Sequence, residues 1–215
     1  PICFLSGVTP SPHTLTLYRG AGYSEWDFIS TPTTGSESSS EILYNLSGTP
    51  DDFQYFGKYN IVPSVQPTHA TSDMYWAEER LGSERIKTAY AYQDLLKQNG
   101  WVALGTDFPV EDINPFKTFL ASVARKDAQN YPENGFQKEN ALTREQTLRG
   151  MTIWAAKSVF QEKERGSLEV GKNADFIILN QDLMNIDEKD ILKTNVLETW
   201  VDGTKTYYNQ KYFDD

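Results

Sequence analysis

Two short apolar runs, each ending abruptly in polar residues, decide what this chain can fold into. Residues 61–65 read Ile-Val-Pro-Ser-Val and residues 101–105 read Trp-Val-Ala-Leu-Gly. Both are short and bounded like buried strands, although Pro63 has no N–H to give to a ladder. Between them the periodicity predicts a helix over residues 83–98. Its apolar positions Ile86, Ala89, Tyr90, Leu95 and Leu96 share one face, and Asn99-Gly100 stops it. Strand, helix, strand is the signature of a βα repeat with a parallel sheet.

The pattern continues on both sides. A short helix is expected to reach about Tyr59, with Thr49 as N-cap, Pro50 at the first helical position and Asp51 and Asp52 complementing the dipole. Residues 115–125 read as helical. Residues 143–160 read as a longer helix, with a capping box of Thr143 and Gln146 and a stripe of Leu148, Met151, Ala155 and Val159. Beyond Phe160 short β-rich runs take over at 174–179, 196–201 and 204–208, with a short helix expected at 186–193. Asp202-Gly203 is a strong signal for a two-residue hairpin turn. The residues alone therefore give βα units followed by a small antiparallel β element.

Upstream the composition changes. Residues 1–48 hold five charges (Arg19, Glu25, Asp27, Glu37, Glu41), and the remaining 167 residues hold the other 45. The early stretch is rich in Ser, Thr, Pro and Gly, as in 30–40, which favours loop over packed structure; apolar patches at 2–5 and 15–18 are candidate strands. The formal net charge is −10, which argues against nucleic acid or an anionic membrane surface as partner, since Lys and Arg hold both. No apolar run approaches the length of a membrane span, and the start has no basic n-region, so a soluble protein is expected with the cytoplasm as its default compartment. Cys3 is the only cysteine and His13 and His69 are the only histidines, which excludes an intrachain disulfide, a thiolate cluster and a site built from several imidazoles of this chain.

Chemistry is concentrated where the two strands end, because the carboxyl ends of parallel strands open toward one face. After the first strand comes Gln66-Pro67-Thr68-His69-Ala70-Thr71-Ser72-Asp73, and after the second Gly105-Thr106-Asp107-Phe108-Pro109. A carboxylate at Asp107 can bind a metal or take a proton from water. On spacing alone Asp107 reads first as an N-cap or turn former rather than a catalyst, and His69 first as a hydrogen-bonded loop histidine. His13 reads as a surface imidazole, Asn45-Leu46-Ser47 as a chance sequon, and Trp76-Ala77-Glu78-Glu79-Arg80 as a solvated helical face.

Several stretches in order resemble the metal-dependent amidohydrolase superfamily, in the subgroup that includes N-substituted formamide deformylase. They are residues 63–73, 76–82, 105–111 (Gly-Thr-Asp-Phe-Pro-Val-Glu), 166–179 (Gly-Ser-Leu-Glu-Val-Gly-Lys-Asn-Ala-Asp-Phe-Ile-Ile-Leu) and 196–203. The resemblance implies a (β/α)8 TIM-type barrel, of which this chain holds only the last βα units (49–160), followed by a small C-terminal β-sandwich portion (161–215). It makes 61–65 strand seven and 101–105 strand eight. Asp107 then matches the aspartate that ligates the metal and acts as catalytic base, and His69 matches a loop residue near the mouth of the site with a substrate contact.

The same resemblance implies a hydrolase of non-peptide C–N bonds in small amide or formamide-type molecules, with a divalent metal cofactor, zinc first. It also requires a His-x-His pair after strand one, a carboxylated Lys or Glu after strand four, and histidines after strands five and six. Residues 38–48 carry no imidazole, and a full barrel needs about 250 residues. The expectation is a C-terminal fragment that lacks most metal ligands and need bind no ion alone, preceded by 48 residues unlike the family. The alternative is a non-enzymatic remnant or interaction module that self-associates through exposed sheet edges.

Overall fold

The computed structural model describes residues 50–212. The expected strands at 2–5 and 15–18, the loop-rich 1–48 segment, the Thr49 cap, the sequon and His13 lie outside the described residues. In chain order the elements are α1 (Pro50–Lys58), β1 (Ser64–Val65), α2 (Pro67–Asp73), α3 (Ala77–Arg85), α4 (Tyr92–Asn99), β2 (Ala103–Leu104) and α5 (Pro115–Ala124). Then follow α6 (Arg144–Met151), α7 (Ile153–Ser158), β3 (Phe176–Leu179), β4 (Val196–Val201) and β5 (Thr204–Tyr208). The architecture is α/β, with one parallel and one antiparallel sheet among the described residues.

The two apolar runs do pair in parallel, with Ser64 opposite Ala103 and Val65 opposite Leu104. Flanking bonds extend the ladder, from Ala103 N–H to the Pro63 carbonyl (3.0 Å) and from Gly105 N–H to the Val65 carbonyl (3.1 Å). Regular strand is confined to two residues in each run, and at Pro63 only the carbonyl is available to a neighbour. Val65, Ala103 and Leu104 are all buried. Val65 and Leu104 join one hydrophobic cluster with Phe53, Phe56, Leu95, Phe116, Phe119 and Leu120, drawn from α1, α4 and α5.

The expected helix over 83–98 is broken. It ends at Arg85, continues as a single 3-10 turn (Ile86–Thr88), and restarts at Tyr92. Ala89 is extended (φ −79°, ψ 144°) and Tyr90 has φ 55°, an uncommon conformation for a bulky residue. The break turns the buried Tyr90 toward α2, where its hydroxyl donates to Asp73 Oδ2 at 2.8 Å. A tertiary contact overrides helical periodicity here. The stop at Asn99-Gly100 is as expected: Gly100 is left-handed (φ 74°) and its N–H caps the Leu96 carbonyl at 2.7 Å.

The 143–160 segment is likewise two helices. Its capping box is present in both directions, Gln146 N–H to Thr143 Oγ1 (3.1 Å) and Thr143 N–H to Gln146 Oε1 (2.9 Å). At Thr152 the backbone leaves the helix (φ −127°, ψ −94°), and its hydroxyl bonds back to the Leu148 carbonyl at 2.6 Å, competing with the ladder. Leu148 is 43% exposed and is not core; Thr147, Gly150 and Met151 form the buried face instead.

The C-terminal strands lie close to their expected limits and pair in the order β3-β4-β5, antiparallel. Asp202 (φ 48°) and Gly203 (φ 71°) both have positive φ, as a type I′ hairpin requires. Phe176 and Trp200 are cross-strand partners and their rings stack at 5.5 Å. The helix expected at 186–193 is a 3-10 segment, Glu188–Lys193, whose Ile191 is fully buried. No helix of the described residues is long and apolar enough to cross a membrane.

Candidate active site

Because β1 and β2 run parallel in register, the chain leaves both at the same edge of the sheet. Gln66 and Gly105 are the first residues out. Four residues beyond Val65 comes His69, and three beyond Leu104 comes Asp107, so the pairing brings together two residues 38 apart in sequence. His69 Nε2 lies 3.0 Å from Asp107 Oδ2. The histidine was expected in a loop; it sits within α2, where Pro67 opens the helix after an extended Gln66. Its side chain is 2% exposed.

A third group completes the arrangement. His69 Nδ1 is 2.8 Å from Glu111 Oε1, which also accepts the Ser72 hydroxyl at 2.6 Å. Ionised carboxylates only accept, so with both Asp107 and Glu111 ionised each ring nitrogen carries a proton and donates. Asp107 itself has φ 59°. That turn lets its carbonyl accept both Val110 N–H (2.8 Å) and Glu111 N–H (3.1 Å), folding the loop back toward α2. The Asp107 side chain remains 30% exposed, so one oxygen is fixed by His69 while the group stays open to water.

The helix that carries His69 is held at both ends. Tyr90 bonds Asp73 at its C-terminal end, and Tyr92 Oη donates to the Gln66 carbonyl (3.2 Å) at its N-terminal end. Behind Tyr92 lies Arg125, fully buried, with its guanidinium carbon 4.9 Å from the Tyr92 ring centre and 5.8 Å from that of Phe136. Its Nε donates to the Phe136 carbonyl (2.9 Å) and Nη2 to Gln137 Oε1 (3.1 Å). Burial pushes the Arg125 pKa below the ordinary guanidinium value, with Tyr92 opposing the shift.

Both candidates from the sequence are thus in one place, and two partners were missed. Glu111 is in the quoted 105–111 stretch and Ser72 in 63–73, but nothing in the local spacing couples residues 39 apart. The available signals were a carboxylate four residues after Asp107 and a hydroxyl three after His69 on the same helix face. A divalent ion does not fit the donors present: among the described residues no group of three or more His, Cys, Asp or Glu can hold one. The His69 nitrogens both face carboxylates, which leaves Asp107 without an imidazole companion for an ion among the described residues.

Residues 28–207 match the amidohydrolase family. The chain is 36% identical over 159 residues to Protein LONG AFTER FAR-RED 3 of Arabidopsis thaliana, covering 74% of this chain and 27% of that protein. It is 30% identical over 106 residues to N-substituted formamide deformylase of Arthrobacter pascens, covering 49% of this chain and 19% of the deformylase. Among solved structures it is similar to an uncharacterized metal-dependent hydrolase of Pyrococcus horikoshii OT3, with 30% identity, a TM-score of 0.56, and coverage of 64% of this chain and 28% of that one. The matched part of the chain therefore spans 19% to 28% of the length of these proteins. The matched span contains both strand ends and the C-terminal sheet, and the chain belongs to the amidohydrolase family.

Proposed function

We propose that Asp107 is the reacting carboxylate of a hydrolase that cleaves non-peptide C–N bonds in small amide or formamide-type molecules. This chain supplies the C-terminal share of that enzyme: the last two barrel strands, β1 and β2, with their helices, and a small β-sandwich portion over 161–215. The observation that carries the reading is the half-open Asp107 carboxylate, bonded to a buried histidine at the shared end of two parallel strands. The family match and the likeness to a deformylase support the reaction class.

In the reaction, Asp107 takes a proton from the attacking water as the new O–C bond forms at the carbonyl carbon. The same proton passes to the departing nitrogen as the C–N bond breaks, so the carboxylate ends ionised. His69, expected from the sequence to contact substrate, is read instead as a positioning residue, because it is buried with both nitrogens engaged by carboxylates and holds Asp107 Oδ2. Asp107 is also the ligand this chain would offer to a divalent ion, zinc being the family expectation, with the other donors coming from an accompanying polypeptide.

The test uses the full chain isolated from its own cells with any polypeptide that accompanies it. Amine release from N-substituted formamides and other linear amides is expected, lost in Asp107→Asn and kept in the surface control Glu78→Gln. Undiminished release by Asp107→Asn would remove Asp107 from the chemistry. A second reading, a non-enzymatic module that associates through sheet edges, is favoured by the exposed strand β5 at the edge of the C-terminal sheet. Light scattering separates the two, since a monomer at all concentrations counts against association.

A further inference from the structure

We infer that Glu111 is a positioning residue of this site, fixing the Nδ1 side of the His69 ring so that Nε2 is delivered to Asp107. The inference deepens the reading of Asp107 as the reacting group, but its geometry stands independently. The contacts form a closed circuit. Asp107 Oδ2 meets His69 Nε2 at 3.0 Å, His69 Nδ1 meets Glu111 Oε1 at 2.8 Å, and Glu111 N–H returns to the Asp107 carbonyl at 3.1 Å. The residue that orients the histidine is thereby tied to the backbone of the aspartate that the histidine holds.

Ser72 locks the circuit onto the helix. It stands three residues after His69, on the same face of α2, and donates to the same Glu111 oxygen at 2.6 Å. Glu111 thus bridges two positions of one helix from the opposite loop. A ring flip of His69 would take Nδ1 away from Glu111 and Nε2 away from Asp107 together, so both contacts favour a single orientation. The Glu111 contact costs the site no exposed carboxylate, because Glu111 is turned inward with an 18% exposed side chain against 30% for Asp107.

Nitrogen-15 histidine spectra of the full chain test this directly, because it contains only two histidines and His69→Gln identifies the ring. The wild type is expected to show a protonated, slowly exchanging Nδ1–H at His69. Glu111→Ala should speed exchange of that proton by about tenfold or more, the loss of one charge-assisted hydrogen bond. Glu111→Gln keeps an acceptor and should retain the resonance, shifted upfield, while Ser72→Ala, which loosens Glu111, should speed exchange by less than Glu111→Ala does. An unprotonated Nδ1 in the wild type, or unchanged position and exchange in Glu111→Ala, overturns the inference. If Glu111→Ala loses its dispersed amide spectrum, Glu111→Gln decides, and an unshifted resonance there overturns it. None of these readouts depends on turnover, so they can fail while the assignment of Asp107 stands, and the reverse.

Discussion

Replacing Gly150 by alanine should destabilise the protein, although alanine is the better helix former. Gly150 lies in the last turn of α6, pressed onto β2. A Cβ built there would sit 2.6 Å from Leu104 Cγ, 2.8 Å from Leu104 Cδ1 and 3.1 Å from the Val102 carbonyl oxygen. Carbon atoms pack at roughly 3.5–4.0 Å, so about 1 Å must be found between a helix and a strand whose side chains are already buried. Overpacking of this kind costs about 1–3 kcal/mol, and the helical preference for alanine returns at most about 1 kcal/mol. The expected net loss is about 1–2 kcal/mol, or a fall in Tm of roughly 2–8 °C for a chain of this size. Urea unfolding followed by tryptophan fluorescence measures it, with an unchanged slope showing that stability alone has moved. Leu104→Ala should relieve part of the clash, so the double variant should lose less than the two single losses combined. A Gly150→Ala protein as stable as the wild type, or strictly additive losses, would refute the close approach of α6 to the strand that leads to Asp107.

Three further outcomes are expected. Thr143→Ala removes one arm of the capping box and should cost about 1 kcal/mol in the same titration. Tyr90→Phe removes a hydroxyl bonded to a buried carboxylate and should cost about 1.5–3 kcal/mol, with α2 amides exchanging faster; equal protection of α2 in wild type and variant would count against the clamp. Tyr75, whose hydroxyl bonds Asp127, has its pKa raised to about 12 by that hydrogen bond. The folded phenol holds its proton above the ordinary tyrosine value, so its contribution is complete below pH ~10 and fades as pH rises toward 12. Alkaline absorbance should show a late-titrating phenol that Asp127→Asn returns to the usual range.

The parts legible in the sequence were those set by local chemistry. Asn99-Gly100, the Thr143–Gln146 box and Asp202-Gly203 each solve a backbone problem within a few residues, and each element ends or begins there. The helical breaks at Ala89–Tyr90 and Thr152 were hidden, because the first depends on a partner on another helix. Apolar periodicity ran straight through both. At the site, Asp107 and His69 stood out because each follows an apolar run, whereas Glu111 and Ser72 acquire their role only once β1 and β2 align. Local spacing cannot report a contact across 39 residues. The burial of His69 was likewise invisible, since Tyr90 and Tyr92 reach α2 from a segment that reads as continuous helix.

Asp107, the proposed reacting carboxylate, is bonded to His69, and the described residues supply no donor set that would hold an ion beside it. Metal content after equilibrium dialysis of the full chain against a zinc buffer tests that most directly. Well under one ion per chain is expected, unchanged by Asp107→Asn. One tightly held ion per chain that disappears in Asp107→Asn would contradict it.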